Sequence, residues 1–74
     1  MLGPYLRDLR KRTGLTCAEM AKEMGKSVAL VSLWERGGSR IAACDLDGYL
    51  KLVHATVWER DEALHLAGGA EESE

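Results

Sequence analysis

The chain has 74 residues, of which 46% are hydrophobic and 30% charged, with a net charge of −2. A chain of this length makes one domain, buries only about 60% of the surface its unfolded form exposes, and has no room for a core plus a deep catalytic cleft. No apolar run approaches the roughly 18 residues of a membrane span, and the N-terminus reads as an amphipathic segment rather than a signal peptide, so a cytoplasmic location is expected.

Helix formers dominate and no stretch alternates long enough to predict a strand, so an all-α fold of five helices is expected. Helix 1 is predicted from Gly3 to Thr13, with Pro4 in the first turn, where its missing N–H costs nothing. Leu2, Leu6 and Leu9, with Tyr5 beside them, form its apolar stripe, and Gly14 ends it. Thr16-Cys17-Ala18-Glu19 reads as a capping box that opens helix 2, Cys17 to Met24, with Met20, Ala21 and Met24 inward. Gly25 ends that helix in the left-handed conformation, and Ser27 caps helix 3, Val28 to Arg36, whose core residues are Val31 and Trp34. Gly37-Gly38 stops helix 3 and starts a loop to Ile41 that carries Arg40.

Helix 4 is predicted over Ala43 to Ala55. Its start is weakly marked, because Ala42 and Ala43 are poor caps. Leu46, Leu50 and Val53 make its stripe with Tyr49 beside it, and Gly48 weakens it by up to ~1 kcal/mol against alanine. Thr56-Val57-Trp58-Glu59 is a second capping box, opening helix 5 from Val57 to Ala67, with Gly68-Gly69 as its stop. A domain over residues 1–69 and an acidic, flexible tail over 70–74 follow.

Charge is unevenly divided. Residues 1–44 carry eight Lys and Arg against four acids, a net of +4, while residues 45–74 carry Lys51 and Arg60 against eight acids, a net of −6. The basic half suits phosphates, although basic side chains on helices are often merely solvated. Cys17 and Cys44 read as free thiols in a reducing compartment. His54 and His65 fall on different predicted helices, with no cysteine at metal-ligand spacing, so neither a metal nor a cofactor is expected.

Two short helices joined through a glycine, the second capped by serine, form the signature of a helix-turn-helix at Cys17 to Arg36. Ala21 lets the helices approach, Gly25 makes the turn, and Val31 and Trp34 hold the second helix on the core. Positions 28, 29, 32, 33 and 36 are left outward. Here the chain resembles the Xre or lambda-repressor-like helix-turn-helix regulators. The resemblance is carried by Leu6-Arg7-Asp8-Leu9-Arg10, Gly14-Leu15-Thr16, Met20-Ala21-Lys22-Glu23-Met24-Gly25 and Val31-Ser32-Leu33-Trp34-Glu35-Arg36-Gly37, within roughly residues 2–56. Asp45 to Ala67 resembles helices 4 and 5 of actinobacterial Xre-type regulators that carry a larger C-terminal domain, which these 74 residues do not include.

The resemblance implies a five-helix lambda-repressor-like fold and a transcriptional regulator, a repressor, that docks helix 3 in the major groove of double-stranded DNA as a homodimer. It implies a structural ion pair between Arg10 and Glu35; such a pair costs about 3–5 kcal/mol to break from one side when buried. No carboxylate or histidine partner accompanies Glu35 for catalysis, and no enzyme activity is expected. Cys17, Val28, Ala29, Ser32 and Leu33 become the base-facing residues. Lys26, Ser27, Arg36 and Arg40 become the phosphate-facing ones, with the N-terminus of helix 2 also near phosphates.

The chain departs from the family pattern at 17, where Gln is usual, and at 28, 29 and 33, where polar residues such as Gln, Arg or Ser are usual; Cys17, Val28, Ala29 and Leu33 stand here. Those side chains make no bidentate hydrogen bond to guanine or adenine, but they suit thymine methyl groups. Readout then leans on methyls, DNA shape and phosphates. The alternative is that Val28, Ala29, Leu30 and Leu33 form an exposed patch, and that the scaffold binds a protein partner through it. Trp58 reads either as core or as a dimer seam with Leu64 or Leu66. Lys11-Arg12 reads as charge complementing the end of helix 1, compatible with a phosphate contact.

Overall fold

A computed structural model describes residues 2–72, within which lie five helices: α1 (Leu2–Thr13), α2 (Cys17–Met24), α3 (Val28–Arg36), α4 (Ala43–Leu52) and α5 (Val57–Glu72). The described residues hold no strand, and none of their helices is long and apolar enough to cross a membrane. Three helix starts are fixed by side chains. At α2, the Thr16 hydroxyl accepts from the Glu19 N–H at 3.1 Å and the Glu19 carboxylate accepts from the Thr16 N–H at 2.9 Å. Thr56 and Glu59 repeat the same reciprocal pair at α5. Ser27 Oγ accepts from the Leu30 N–H at 3.1 Å at α3. Each cap removes amide donors that would otherwise lack a partner, and contributes ~1 kcal/mol.

The turn between α2 and α3 depends on Gly25, which adopts φ 69° and ψ 30°. From there the Lys26 N–H donates back to the Ala21 carbonyl at 2.9 Å, closing α2 and aiming the chain into Ser27. α3 packs on both α1 and α2, α4 packs on α2, and α5 packs on α1. The core at the centre of these contacts holds Leu6, Leu9, Met20, Ala21, Val31, Trp34, Ile41, Leu46, Tyr49, Leu50, Val53 and Ala63. The stripes expected for the first four helices are thus inward, while α5, among its residues of described burial (57–67), adds a single fully buried side chain, the small Ala63, against them.

Gly3 is where α1 meets the end of α3. A Cβ there would lie 2.6 Å from the Glu35 carbonyl oxygen and 2.7 Å from that of Trp34. Backbone does not yield as a flexible side chain does, so Gly3→Ala is expected to destabilise the domain by about 1–3 kcal/mol, as overpacking does. Urea denaturation reads this directly, and an unchanged midpoint would show that α1 shifts without cost.

The boundaries differ from expectation at three places, the smallest being the start of α1 at Leu2 rather than Gly3. α4 stops at Leu52, not Ala55, because His54 takes the left-handed conformation (φ 55°) and Ala55 N–H turns back to the Leu50 carbonyl at 3.0 Å. α5 continues through Gly68 and Gly69 to Glu72 rather than ending at Ala67. Glycine lowers helix propensity by about 1 kcal/mol without forbidding helical backbone. Residues 70–72, expected in a flexible tail, are therefore helical, and residues 73–74 lie outside the described residues. Finally, Trp58 is 80% exposed on α5, so its reading as a core residue is corrected.

Candidate nucleic-acid interface

The outward face of the second motif helix is set from behind by a charged hub. Arg10 on α1 donates to both carboxylate oxygens of Glu35 on α3, Nε to Oε2 at 2.7 Å and a terminal nitrogen to Oε1 at 2.9 Å. Its other terminal nitrogen donates to the Leu15 carbonyl at 2.8 Å. The pair is largely withdrawn from water, with 11% of the arginine side chain and 4% of the glutamate side chain exposed. Tyr49 on α4 supplies a partner that sequence reasoning missed. Its hydroxyl donates to Glu35 Oε2 at 2.6 Å, with the Leu6 carbonyl 3.2 Å away. Burial pushes the Glu35 carboxyl up, but the hydrogen bonds from Arg10 and Tyr49 and the arginine charge outweigh it and hold it below its ordinary value. Burial and the neighbouring carboxylate push the Tyr49 hydroxyl far up. Glu35 is therefore a fixed anion tying α1, α3 and α4 together, and it holds α3 in place.

With that side anchored, α3 turns Val28, Ala29, Leu33 and Arg36 outward, all four exposed. On a 100° helical wheel Arg36 lies midway along this face, flanked by Val28 on one side and Leu33 on the other. Ser32 shares the face but is half-buried, and its carbonyl accepts from Arg36 Nε at 3.4 Å. Leu30 is half-buried and packs against the core, so it drops out of the expected patch. The first turn of α3 has no acidic side chain, leaving its positive end unopposed. Leu33 leans toward the following loop, where a Cβ on Gly38 would meet its Cδ2 at 3.0 Å.

Cys17 is placed differently from its base-facing expectation. It is half-buried at the first residue of α2, and its thiol donates to Glu35 Oε1 at 3.7 Å. Burial and the nearby carboxylate raise its pKa, so it stays a neutral thiol. A side chain with one rotatable bond to its sulfur, aimed at the hub, does not also reach outward. The N-terminus of α2, expected near phosphates, already holds the Glu19 carboxylate of its capping box.

The expected phosphate contacts separate into two groups. Arg36 and Arg40 are exposed and meet no carboxylate among the described residues. Lys26 instead lies 3.6 Å from Asp45 on α4. Ser27 is exposed, with its hydroxyl oxygen engaged as the α3 cap. The basic end of α1 is less available than its composition indicates, because Arg12 bonds Glu59 on α5. That cation, together with the Thr56 N–H, holds the Glu59 carboxyl down at about 2. Arg60 similarly bonds Asp47. Among the described residues no His, Cys, Asp or Glu cluster has the makings of a metal site.

A family model described as a helix-turn-helix domain matches residues 1–63. No curated protein and no solved structure matches the chain.

Proposed function

The chain belongs to the helix-turn-helix domain family, and from that membership we propose that it is a DNA-binding transcriptional regulator that lays α3 in the major groove. It acts as a repressor, by occupying the groove against other proteins. One observation carries this reading: α3 presents an uncharged row of Val28, Ala29 and Leu33 around Arg36, with Arg40 exposed in the loop beyond. Short apolar side chains approach thymine methyl groups without stranding a polar atom, and the arginines at the C-terminal end of α3 and in the loop beyond it neutralise phosphates. The hub behind α3 supports the reading by pre-ordering that face.

Base preference is the test of this placement. Leu33→Gln replaces a methyl-contacting group with one that bonds adenine in bidentate fashion. Selection from randomised duplexes is expected to return a different preferred site for the variant. An identical site for both proteins would remove Leu33 from the groove.

The protein functions as a homodimer in this reading. Val57, Trp58 and Leu64 are 70%, 80% and 45% exposed on α5, and a second copy covering them would place two recognition helices on one duplex. A monomeric mass in sedimentation at micromolar concentration would remove this part. The competing reading, a protein-binding module acting through α3, loses support because the exposed patch shrinks to Val28, Ala29 and Leu33 once Leu30 packs inward.

A further inference from the structure

Lys26 occupies the turn between α2 and α3, immediately before the Ser27 cap. Its ammonium lies 3.6 Å from Asp45 Oδ1, and the two side chains are 36% and 21% exposed. Asp45 is the acid in the first turn of α4, a helix whose N-cap, Ala42, offers no side-chain hydrogen bond. α4 packs directly on α2, so the fold itself delivers a carboxylate to the motif turn. Arg36 and Arg40 have no such partner among the described residues.

A carboxylate and a phosphate offer an ammonium the same chemistry, a compact anion with accepting oxygens. We propose that Asp45 is an intramolecular competitor for Lys26, occupying the lysine that a DNA phosphate would otherwise take and so lowering the affinity of the motif for DNA. The inference rests on the DNA-binding reading above and adds a residue outside the motif that sets its strength. Binding exchanges one anion for another at Lys26, so the lysine contributes less than a free cation at the same position. The pair is exposed to solvent, so the effect is modest and is screened by salt.

The experiment is a double-mutant cycle, read by fluorescence anisotropy on a labelled mixed-sequence duplex of about 20 base pairs at low salt. The proteins are the wild-type chain, Asp45→Asn, Lys26→Gln and the double variant. Each is checked for helix content and melting temperature. Asp45→Ser is the second variant, should the asparagine weaken the start of α4. Removing the carboxylate is expected to tighten binding by about two- to fivefold, the range an exposed pair supports. In the Lys26→Gln background the same change is expected to do nothing. The proposal is overturned if Asp45→Asn binds no tighter. It is also overturned if the gain persists undiminished without Lys26, because Asp45 would then repel phosphates directly. Failure of every protein, wild type included, to bind duplex sinks the DNA reading itself. Binding by the wild type with no gain in the variant sinks this inference alone.

Discussion

Glu35→Ala is expected to remove about 3–5 kcal/mol of stability, the usual cost of stranding one member of a buried ion pair. A domain of this size holds roughly 4–11 kcal/mol in total, so the variant is expected to keep only part of that margin and to melt well below the wild type. The loss has two parts. Arg10, with only 11% of its side chain exposed, loses both bonds to the carboxylate. Tyr49 loses its 2.6 Å acceptor and keeps only the more distant Leu6 carbonyl. Arg10→Met combined with Glu35→Leu removes both charges and is expected to recover most of the lost stability, since apolar replacements avoid the desolvation cost. Thermal melts by circular dichroism compare the three proteins, and a Glu35→Ala melt within a few degrees of wild type contradicts the hub. Acid gives the same contrast. Glu35 titrates in the folded state below its ordinary 4.5, so its contribution is fully present above that pH and is lost as pH falls beneath it. The doubly apolar variant is expected to lose stability less steeply over that range.

Arg36→Ala with Arg40→Ala is expected to weaken DNA binding by on the order of 10- to 100-fold at moderate salt, two phosphate contacts being lost. Both side chains are exposed and unpaired with carboxylates among the described residues, so the fold is expected to be unaffected. The loss is expected to be similar for every duplex tested, because phosphate contacts carry no base information. Gel shift on several duplexes measures both features. Retention of wild-type affinity would move the phosphate contacts to Arg7, Lys11 or Lys22. Those are the remaining basic residues without a carboxylate partner among the described residues.

The parts of this architecture that were legible in the sequence are those governed by neighbours in the chain. The bounds expected for α2 and α3 coincide with those observed because Thr16, Glu19, Gly25, Ser27 and Gly37 act on amides and carbonyls within a few residues. The end of α4 was illegible because a histidine occupies the left-handed position that a glycine usually marks. The end of α5 was misread for the opposite reason, since two glycines signalled a stop that the backbone does not make. Tertiary partners left little trace. Tyr49 lies 14 residues from Glu35 and Arg12 lies 47 from Glu59, and no local pattern links them. In the sequence Tyr49 flanks an apolar stripe, and its hydroxyl is the one hint that it needs a buried acceptor. The place of Cys17 in the motif points it outward, whereas packing turns its thiol toward the hub. Gly3 gave no signal, because its role depends on carbonyls more than 30 positions away.

The salt dependence of duplex binding tests the central claim most directly. If α3 and its loop engage phosphates, log K falls linearly with log salt, with a slope near −0.9 for each phosphate neutralised. The slope is expected to become shallower by ~1.8 when Arg36 and Arg40 are both replaced. Binding that stays level from about 50 to 200 mM salt, or no binding even at the low end, would contradict a phosphate-anchored helix-turn-helix and favour a protein partner on the face of Val28, Ala29 and Leu33.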